Sequence, residues 1–103
     1  MNRIDQALAR ARGEKRAALI VFVTAGDPDL TTSAEIVKAL DRAGADVIEI
    51  GVPFSDPMAD GPVIQRATER AIRQGVGLRQ TLGFVAEFRA SDAVTPVVLM
   101  GYA

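Results

Sequence analysis

The hydrophobic positions of the chain fall into two kinds of segment, short apolar runs and longer stretches with helical spacing. The apolar runs have the length of β-strands: AALIVFVTAG (17–26), DVIEI (46–50) and PVVLMG (96–101). The first run lacks the alternation of apolar and polar residues that marks a half-exposed strand. It therefore predicts a strand that is buried on both faces, as in a parallel sheet.

Helical spacing occupies the stretches before and between these runs. Apolar residues three and four apart predict helices over residues 2–12, 30–43, 62–74 and 78–90. The inward face of the last helix is predicted to carry Leu78, Leu82, Val85 and Ala86. The order α–β–α–β–α–α–β separates the strands by helices, which predicts an α/β fold with parallel pairing and right-handed crossovers. No internal domain boundary is predicted in residues 1–103.

Two architectures fit three parallel strands. One is a small three-stranded α/β layer, and the other is the first portion of a (β/α)8 barrel, which needs about eight strands and about 250 residues to close. The segment between the second strand and the third helix, EIGVPFSDPMADGPVIQ (49–65), favours the incomplete barrel. It is longer than the usual connection of about 2–6 residues, and three prolines stiffen it. Rigid loops that follow buried strands commonly carry binding or catalytic residues.

Composition excludes several classes of function. The net charge of −1 and the 5% aromatic content argue against nucleic acid or an anionic membrane as a partner. The chain has no cysteine and no histidine, which removes disulfides, thiolate chemistry, the usual zinc sites and His-based triads. Proton transfer must therefore use Asp, Glu, Lys or Tyr. The absence of a signal-peptide core or a membrane-length apolar run predicts a cytoplasmic protein.

Glu49 is the first candidate for chemistry. It lies between two isoleucines, and side-chain alternation places it on the sheet face opposite to them. If the isoleucines pack against helices, Glu49 faces the barrel interior near the catalytic mouth, where it could act as a general acid/base. The alternative is a strand-end glutamate that pairs with a lysine or faces solvent.

Other candidates have stronger structural interpretations. From its position just before the third helix, Asp60 is interpreted as a helix cap. Asp27 and Asp56 each precede a proline and are interpreted as turn formers. Phe22 and Tyr102 are more typical of a core, although Tyr102 directly follows the third strand and would reach the barrel mouth.

Three motifs identify a family. GADVIEIGVPFSDPMADGPVIQRA (44–67), with FVTAGDPD upstream and PVVLMGYA downstream, closely resembles the signature of the tryptophan synthase alpha subunit. The resemblance implies a (β/α)8 barrel with an extra N-terminal helix across its bottom. It also implies cleavage of indole-3-glycerol phosphate to indole and glyceraldehyde 3-phosphate in tryptophan biosynthesis, a retro-aldol lyase reaction that uses no metal or organic cofactor.

The resemblance also assigns roles to residues. It makes Glu49 the acid/base that protonates indole C3 and deprotonates the glycerol hydroxyl. It makes Asp60 the carboxylate that faces the indole N–H, in place of the cap interpretation. It places Phe22, Met100 and Tyr102 in the lining of the indole pocket.

A partner subunit is implied as well. Pro53, Asp56 and Pro57 match the surface that contacts the tryptophan synthase beta subunit, which receives indole through a tunnel and carries pyridoxal phosphate. Loop stiffening alone is the alternative role for these residues.

The family barrel binds the substrate phosphate through loops after strands 7 and 8, which are absent here. The isolated 103 residues are therefore predicted to be inactive. They are also predicted to form a homo-oligomer, because the apolar outer strands have unpaired edges. Two hypotheses remain for the chain. It is the catalytic N-terminal portion of an alpha subunit that is active when intact, or it is a non-catalytic partial-barrel module that self-associates. Another barrel isomerase of tryptophan biosynthesis is disfavoured, because SDPMADGP (55–62) matches the alpha subunit.

Overall fold

The computed structural model describes residues 2–55 and 59–102. The elements are α1 (Arg3–Gly13), β1 (Ile20–Thr24), α2 (Leu30–Ala43), β2 (Val47–Gly51), α3 (Pro62–Arg73), α4 (Leu78–Ser91) and β3 (Val97–Met100). The predicted order of elements is confirmed, although β1 is shorter than the apolar run over 17–26. None of the helices in the described part of the chain is long and apolar enough to cross a membrane.

The three strands form one parallel sheet in the order β1–β2–β3. Glu49 at the centre of β2 is in register with Phe22 on β1 and Val98 on β3. Residues in register on parallel strands share a face, so these three side chains lie on the same side of the sheet. The carboxyl ends of all three strands meet at one edge, where the loops after them come together.

The hydrophobic core lies on the other side of the sheet, between the strands and the helices. Ile48 and Ile50 are fully buried there, as the alternation of β2 predicts. They pack with Val37 of α2 and with Phe84 and Phe88 of α4. Each such side chain stabilises the folded chain by about 1.5–3 kcal/mol when it leaves water.

The prediction that the first strand is buried on both faces is wrong. Ile20 and Phe22 of β1 are exposed, whereas Val23 is buried against the helices. A continuous apolar run indicates that the side chains on both faces of a strand are suited to burial. It does not indicate which segments cover each face. Here the core-forming helices cover one face of β1, and Ile20 and Phe22 on its other face remain exposed.

The inward face predicted for α4 is wrong in part. Val85 packs against the core as predicted, but Leu78, Leu82 and Ala86 are exposed. The buried residues are Thr81, Phe84 and Phe88. Apolar residues lie on more than one side of this helix, so spacing alone leaves the orientation open. The two phenylalanines bury more apolar surface than the leucines, and the Thr81 hydroxyl stays satisfied by donating to the Gly77 carbonyl at 2.8 Å.

An ion pair between the buried Asp46 and the more exposed Arg16 joins the start of β2 to the residues before β1. The Asp46 carboxylate accepts hydrogen bonds from two guanidinium nitrogens of Arg16, at 2.8 and 3.0 Å, and from the Leu19 N–H at 2.7 Å. These hydrogen bonds, led by those from Arg16, lower the pKa of Asp46 from 3.8 to about 2. The pair spans 30 residues of sequence and sets where β1 begins beside β2.

We expect Asp46→Asn to destabilise the chain by about 2 kcal/mol, because hydrogen bonds to a charged group are replaced by weaker ones. For a chain of this size that loss lowers Tm by roughly 10 °C in a thermal melt at fixed protein concentration. The matched control is Glu14→Gln. Glu14 also bonds Arg16, but its side chain is 54% exposed, against 4% for Asp46. Exposed pairs contribute about 0–1 kcal/mol, so equal effects of the two variants would contradict this assignment.

The pH dependence of stability has a definite sign. Because folding lowers the Asp46 pKa, the unfolded chain binds more protons as pH falls through 3.8 toward about 2. The stabilisation by the ionised carboxylate is complete above that window and is lost within it. The Tm difference between the parent chain and Asp46→Asn should therefore shrink over the same interval.

Candidate active site

A cleft of about 360 Å³ lies at the carboxyl ends of the strands. All three strands, the segments that follow β2 and β3, and helix α3 contribute to its walls. The lining residues are Phe22, Thr24, Gly51, Val52, Ala59, Asp60, Ile64, Thr68, Met100, Gly101 and Tyr102. Parallel pairing brings these segments together, because it places every strand's carboxyl end at the same edge.

Four predicted site residues meet in this cleft: Phe22, Asp60, Met100 and Tyr102. Glu49 does not line the cleft itself. It is half-buried on the same face of the sheet, in register with Phe22. Its side chain therefore lies next to Phe22, which lines the cleft, on the sheet face opposite the hydrophobic core, which we call the inner face.

The other predicted residues lie elsewhere. Pro53 is buried within the chain, so the partner contact predicted for it remains a prediction. Asp56 and Pro57 lie outside the described residues. Asp27 accepts two hydrogen bonds from the guanidinium of Arg70 on α3, at 2.6 and 3.0 Å. It therefore does more than form a turn, since it ties the loop after β1 to α3.

Asp60 does not occupy the capping position of α3. That position is Gly61, and Pro62 follows it in the first turn, where its missing N–H leaves no bond unmade. The backbone carbonyl of Asp60 accepts a hydrogen bond from the side-chain amide of Gln65 at 2.8 Å. Asp60 thus lies one residue before the cap and forms part of the cleft wall.

The cleft combines apolar walls with a few polar groups. Phe22, Met100 and Tyr102 supply flat or flexible apolar surface, and the hydroxyl-bearing residues Thr24 and Thr68 are buried. Asp60 provides a carboxylate, and none of the described residues that line the cleft is basic. The site therefore suits a planar apolar ring with an N–H or a developing positive charge, and these residues offer no cation to an anionic group.

The sequence belongs with proteins of known family. The family model described as tryptophan synthase alpha chain matches residues 8–103. This chain belongs to the tryptophan synthase alpha chain family.

Relatives within this family match almost the whole chain. The tryptophan synthase alpha chain of Xylella fastidiosa (strain M12) is 64% identical over 102 residues, which cover 99% of this chain and 38% of the relative. That of Dechloromonas aromatica (strain RCB) is 61% identical over 103 residues, covering 100% of this chain and 38% of the relative. The chain thus spans about 38% of the length of these curated tryptophan synthase alpha chains.

Solved structures agree. Tryptophan synthase subunit alpha from Legionella pneumophila str. Paris superposes with a TM-score of 0.95 at 47% identity, covering 99% of this chain and 39% of that one. A chain of tryptophan synthase from M. tuberculosis, in its aminoacrylate-bound form, gives 0.90 at 41% identity, covering 99% and 41%. The predicted fold, the N-terminal portion of the tryptophan synthase alpha (β/α)8 barrel, is confirmed.

Seven residues that line the cleft, among them Gly51 and Gly101, were not predicted from the sequence, and neither was Phe54 beside it. A Cβ at Gly51 would lie 2.7 Å from Phe22 Cζ, so the Phe22 ring needs a glycine beside it. A Cβ at Gly101 would lie 2.5 Å from Phe54 Cε2. Phe54 in turn packs edge-on against Tyr102, with ring centroids 5.9 Å apart and an interplanar angle of 79°. The two glycines could have been found, because each directly follows an apolar run in the sequence. The ring contact of Phe54 could not, because it joins segments that are distant in the sequence.

Proposed function

We propose that the whole protein to which these residues belong cleaves indole-3-glycerol phosphate to indole and glyceraldehyde 3-phosphate. Residues 1–103 would supply the acid/base and the indole pocket of that reaction. The observation that carries the proposal is the meeting of Phe22, Asp60, Met100 and Tyr102 in one cleft, with Glu49 on the adjoining inner face. Membership of the tryptophan synthase alpha chain family supports it.

The reaction requires two proton transfers. Indole C3 gains a proton, so that the ring can leave as neutral indole. The glycerol hydroxyl next to the breaking bond loses a proton and becomes the aldehyde oxygen, while the electron pair of the C–C bond returns to the ring. We assign both transfers to Glu49, because it is the carboxylate on the inner face beside the cleft, and positioned acid/base groups typically contribute about 10²–10⁴-fold.

Asp60 has a different role in this proposal. Protonation at C3 places positive charge on the ring nitrogen, and a carboxylate held beside the indole N–H stabilises that charge as it develops. Phe22, Met100 and Tyr102 would hold the ring in the plane that presents the N–H to Asp60. The described lining residues include no positively charged side chain that could pair with phosphate. The phosphate group would therefore be held by parts of the barrel outside this cleft.

No metal or organic cofactor has a part in the proposed reaction, since two carboxylates and an indole pocket supply its chemistry. We further propose the beta subunit of tryptophan synthase as the partner, with pyridoxal phosphate bound there alone. The match to a structure described as subunit alpha supports a partner of this kind. The contacts are proposed at Pro53, Asp56 and Pro57. The cytoplasmic location remains a prediction.

The test is a graft. Residues 1–103 replace the matching segment of the Xylella fastidiosa alpha chain, which is 64% identical. This grafted alpha chain is expected to form indole from indole-3-glycerol phosphate within about tenfold of the natural relative, and to bind a beta subunit in a calorimetric titration. A grafted chain that folds by its thermal melt but forms no indole would contradict the proposal.

A second candidate function is self-association without catalysis. It is favoured by the exposed Ile20 and Phe22 on the inner face of the sheet. It is also favoured by the two outer strands, which pair only with β2 among the described strands. This candidate concerns the isolated 103 residues.

A further inference from the structure

The segment after β3 holds the loop that carries Asp60. The hydroxyl oxygen of Tyr102 accepts a hydrogen bond from the backbone N–H of Ala59 at 3.1 Å, across 43 residues of sequence. Phe54, at the start of the same loop, packs edge-on against the Tyr102 ring. The close approach of Phe54 to Gly101 brings its ring to the backbone just before Tyr102.

We propose that Tyr102, supported by Phe54, is a positioning residue for the Asp60 carboxylate; the inference rests on the function proposed above. Ala59 is bonded directly to Asp60, so fixing the Ala59 N–H restricts the backbone that sets the direction of the Asp60 side chain. On the other side, the Asp60 carbonyl accepts from Gln65 of α3 at 2.8 Å. Asp60 is therefore held between two anchors, one on the segment after β3 and one on α3.

Each contact in this arrangement has a definite role. The Tyr102–Ala59 hydrogen bond holds the end of the loop at the segment after β3. The edge-on ring pair fixes the tilt of the Tyr102 ring. Catalytic geometry is sensitive to such anchors, because a misplacement of about 1 Å can reduce the rate by about 10²-fold.

Phe54 separates positioning from direct substrate contact. It is not among the described residues that line the cleft, so it acts on the reaction only through its neighbours. In the grafted alpha chain, Phe54→Leu is expected to lower kcat by about 3–10-fold with KM for indole-3-glycerol phosphate changed less than about twofold, the loss that corresponds to one such contact. Tyr102→Phe, which keeps the ring and removes the hydroxyl, should behave in the same way.

A double-mutant cycle decides whether the effect passes through Asp60. If Tyr102 positions Asp60, Tyr102→Phe should have almost no further effect on kcat once Asp60→Asn is present. Additive effects of the two substitutions would overturn the proposal, and so would a kcat of Phe54→Leu within about 1.5-fold of the grafted chain.

Ser91→Ala is the control for loss of a hydroxyl. The Ser91 hydroxyl donates to the Phe88 carbonyl at 3.0 Å. Ser91 is the last residue of α4, which leads into the amino end of β3, whereas the cleft lies at the carboxyl ends of the strands. Its substitution should therefore leave kcat unchanged.

The same measurements separate this inference from the proposed function. If the grafted chain forms indole and Asp60→Asn reduces kcat, the function stands whatever the Tyr102 and Phe54 variants show. If the grafted chain folds but forms no indole, the proposed function fails and the positioning role fails with it. Thermal melts of both variants identify a loss caused by unfolding, since a positioning role predicts lower kcat at an assay temperature where each variant is fully folded.

Discussion

Replacing Glu49 by glutamine in the grafted alpha chain is expected to lower the rate of indole formation by at least about 10²–10⁴-fold. Glutamine has nearly the same shape but can neither donate nor accept the proton that the proposed reaction moves. The side chain lies on the sheet face opposite the core isoleucines Ile48 and Ile50, so the substitution leaves the packed core untouched. The expected result is loss of catalysis without loss of fold.

Steady-state indole release measures the rate of the variant, and a thermal melt of the same preparation measures its stability. Glu35→Gln, which makes the same chemical change at an exposed position of α2, serves as the control and should retain full activity. A Glu49→Gln rate within about threefold of the grafted chain would show that another group transfers the protons. A large fall in Tm together with the rate would instead assign Glu49 a structural role.

The parts of the fold that sequence could predict are those set by local chemistry. The alternation of β2 placed Ile48 and Ile50 in the core and Glu49 on the other face, because neighbouring side chains in a strand must point to opposite sides. Pro62 marked the first turn of α3, where proline is tolerated. The element order followed from apolar runs separated by helical spacing, and parallel pairing followed from the intervening helices.

The parts that sequence could not predict depend on contacts between distant segments. The inward face of α4 was decided by which side chains fit against α2 and the sheet, and Phe84 and Phe88 filled that space. The burial of Asp46 depends on Arg16, which is 30 residues away and carries no local signal of pairing. The exposure of β1 depends on what covers the second face of the sheet, which an apolar run does not reveal.

The candidate site divides in the same way. Residue pattern alone interprets Asp60 as a cap, and only the family motif assigns it to the substrate. The structure places it one residue before the capping position of α3 and in the cleft wall. That placement requires the loop to return to Tyr102, a contact across 43 residues that no local pattern encodes.

The isolated 103 residues are expected to form no indole and to associate with one another. The first expectation follows from the cleft, whose described lining residues provide no positively charged side chain to bind the substrate phosphate. Binding energy from that remote group would otherwise orient the reacting atoms. The second follows from the sheet. Among the described strands β1 and β3 each pair only with β2. Exposed apolar side chains such as Ile20 and Phe22 lie on the inner face of the sheet.

Unpaired strand edges recruit other chains, and a charged side chain beside such an edge discourages the pairing. Sedimentation velocity at micromolar concentration should therefore show species larger than the 10.9 kDa monomer, and Ile20→Lys should shift them toward the monomer. Leu82→Lys is the matched control, because Leu82 on α4 is 48% exposed and Ile20 on β1 is 53% exposed. If Ile20→Lys and Leu82→Lys shift the species toward the monomer equally, the edge of β1 is not the cause of association. A single monomeric species that unfolds cooperatively would contradict self-association, and measurable indole formation by the isolated chain would contradict its predicted inactivity.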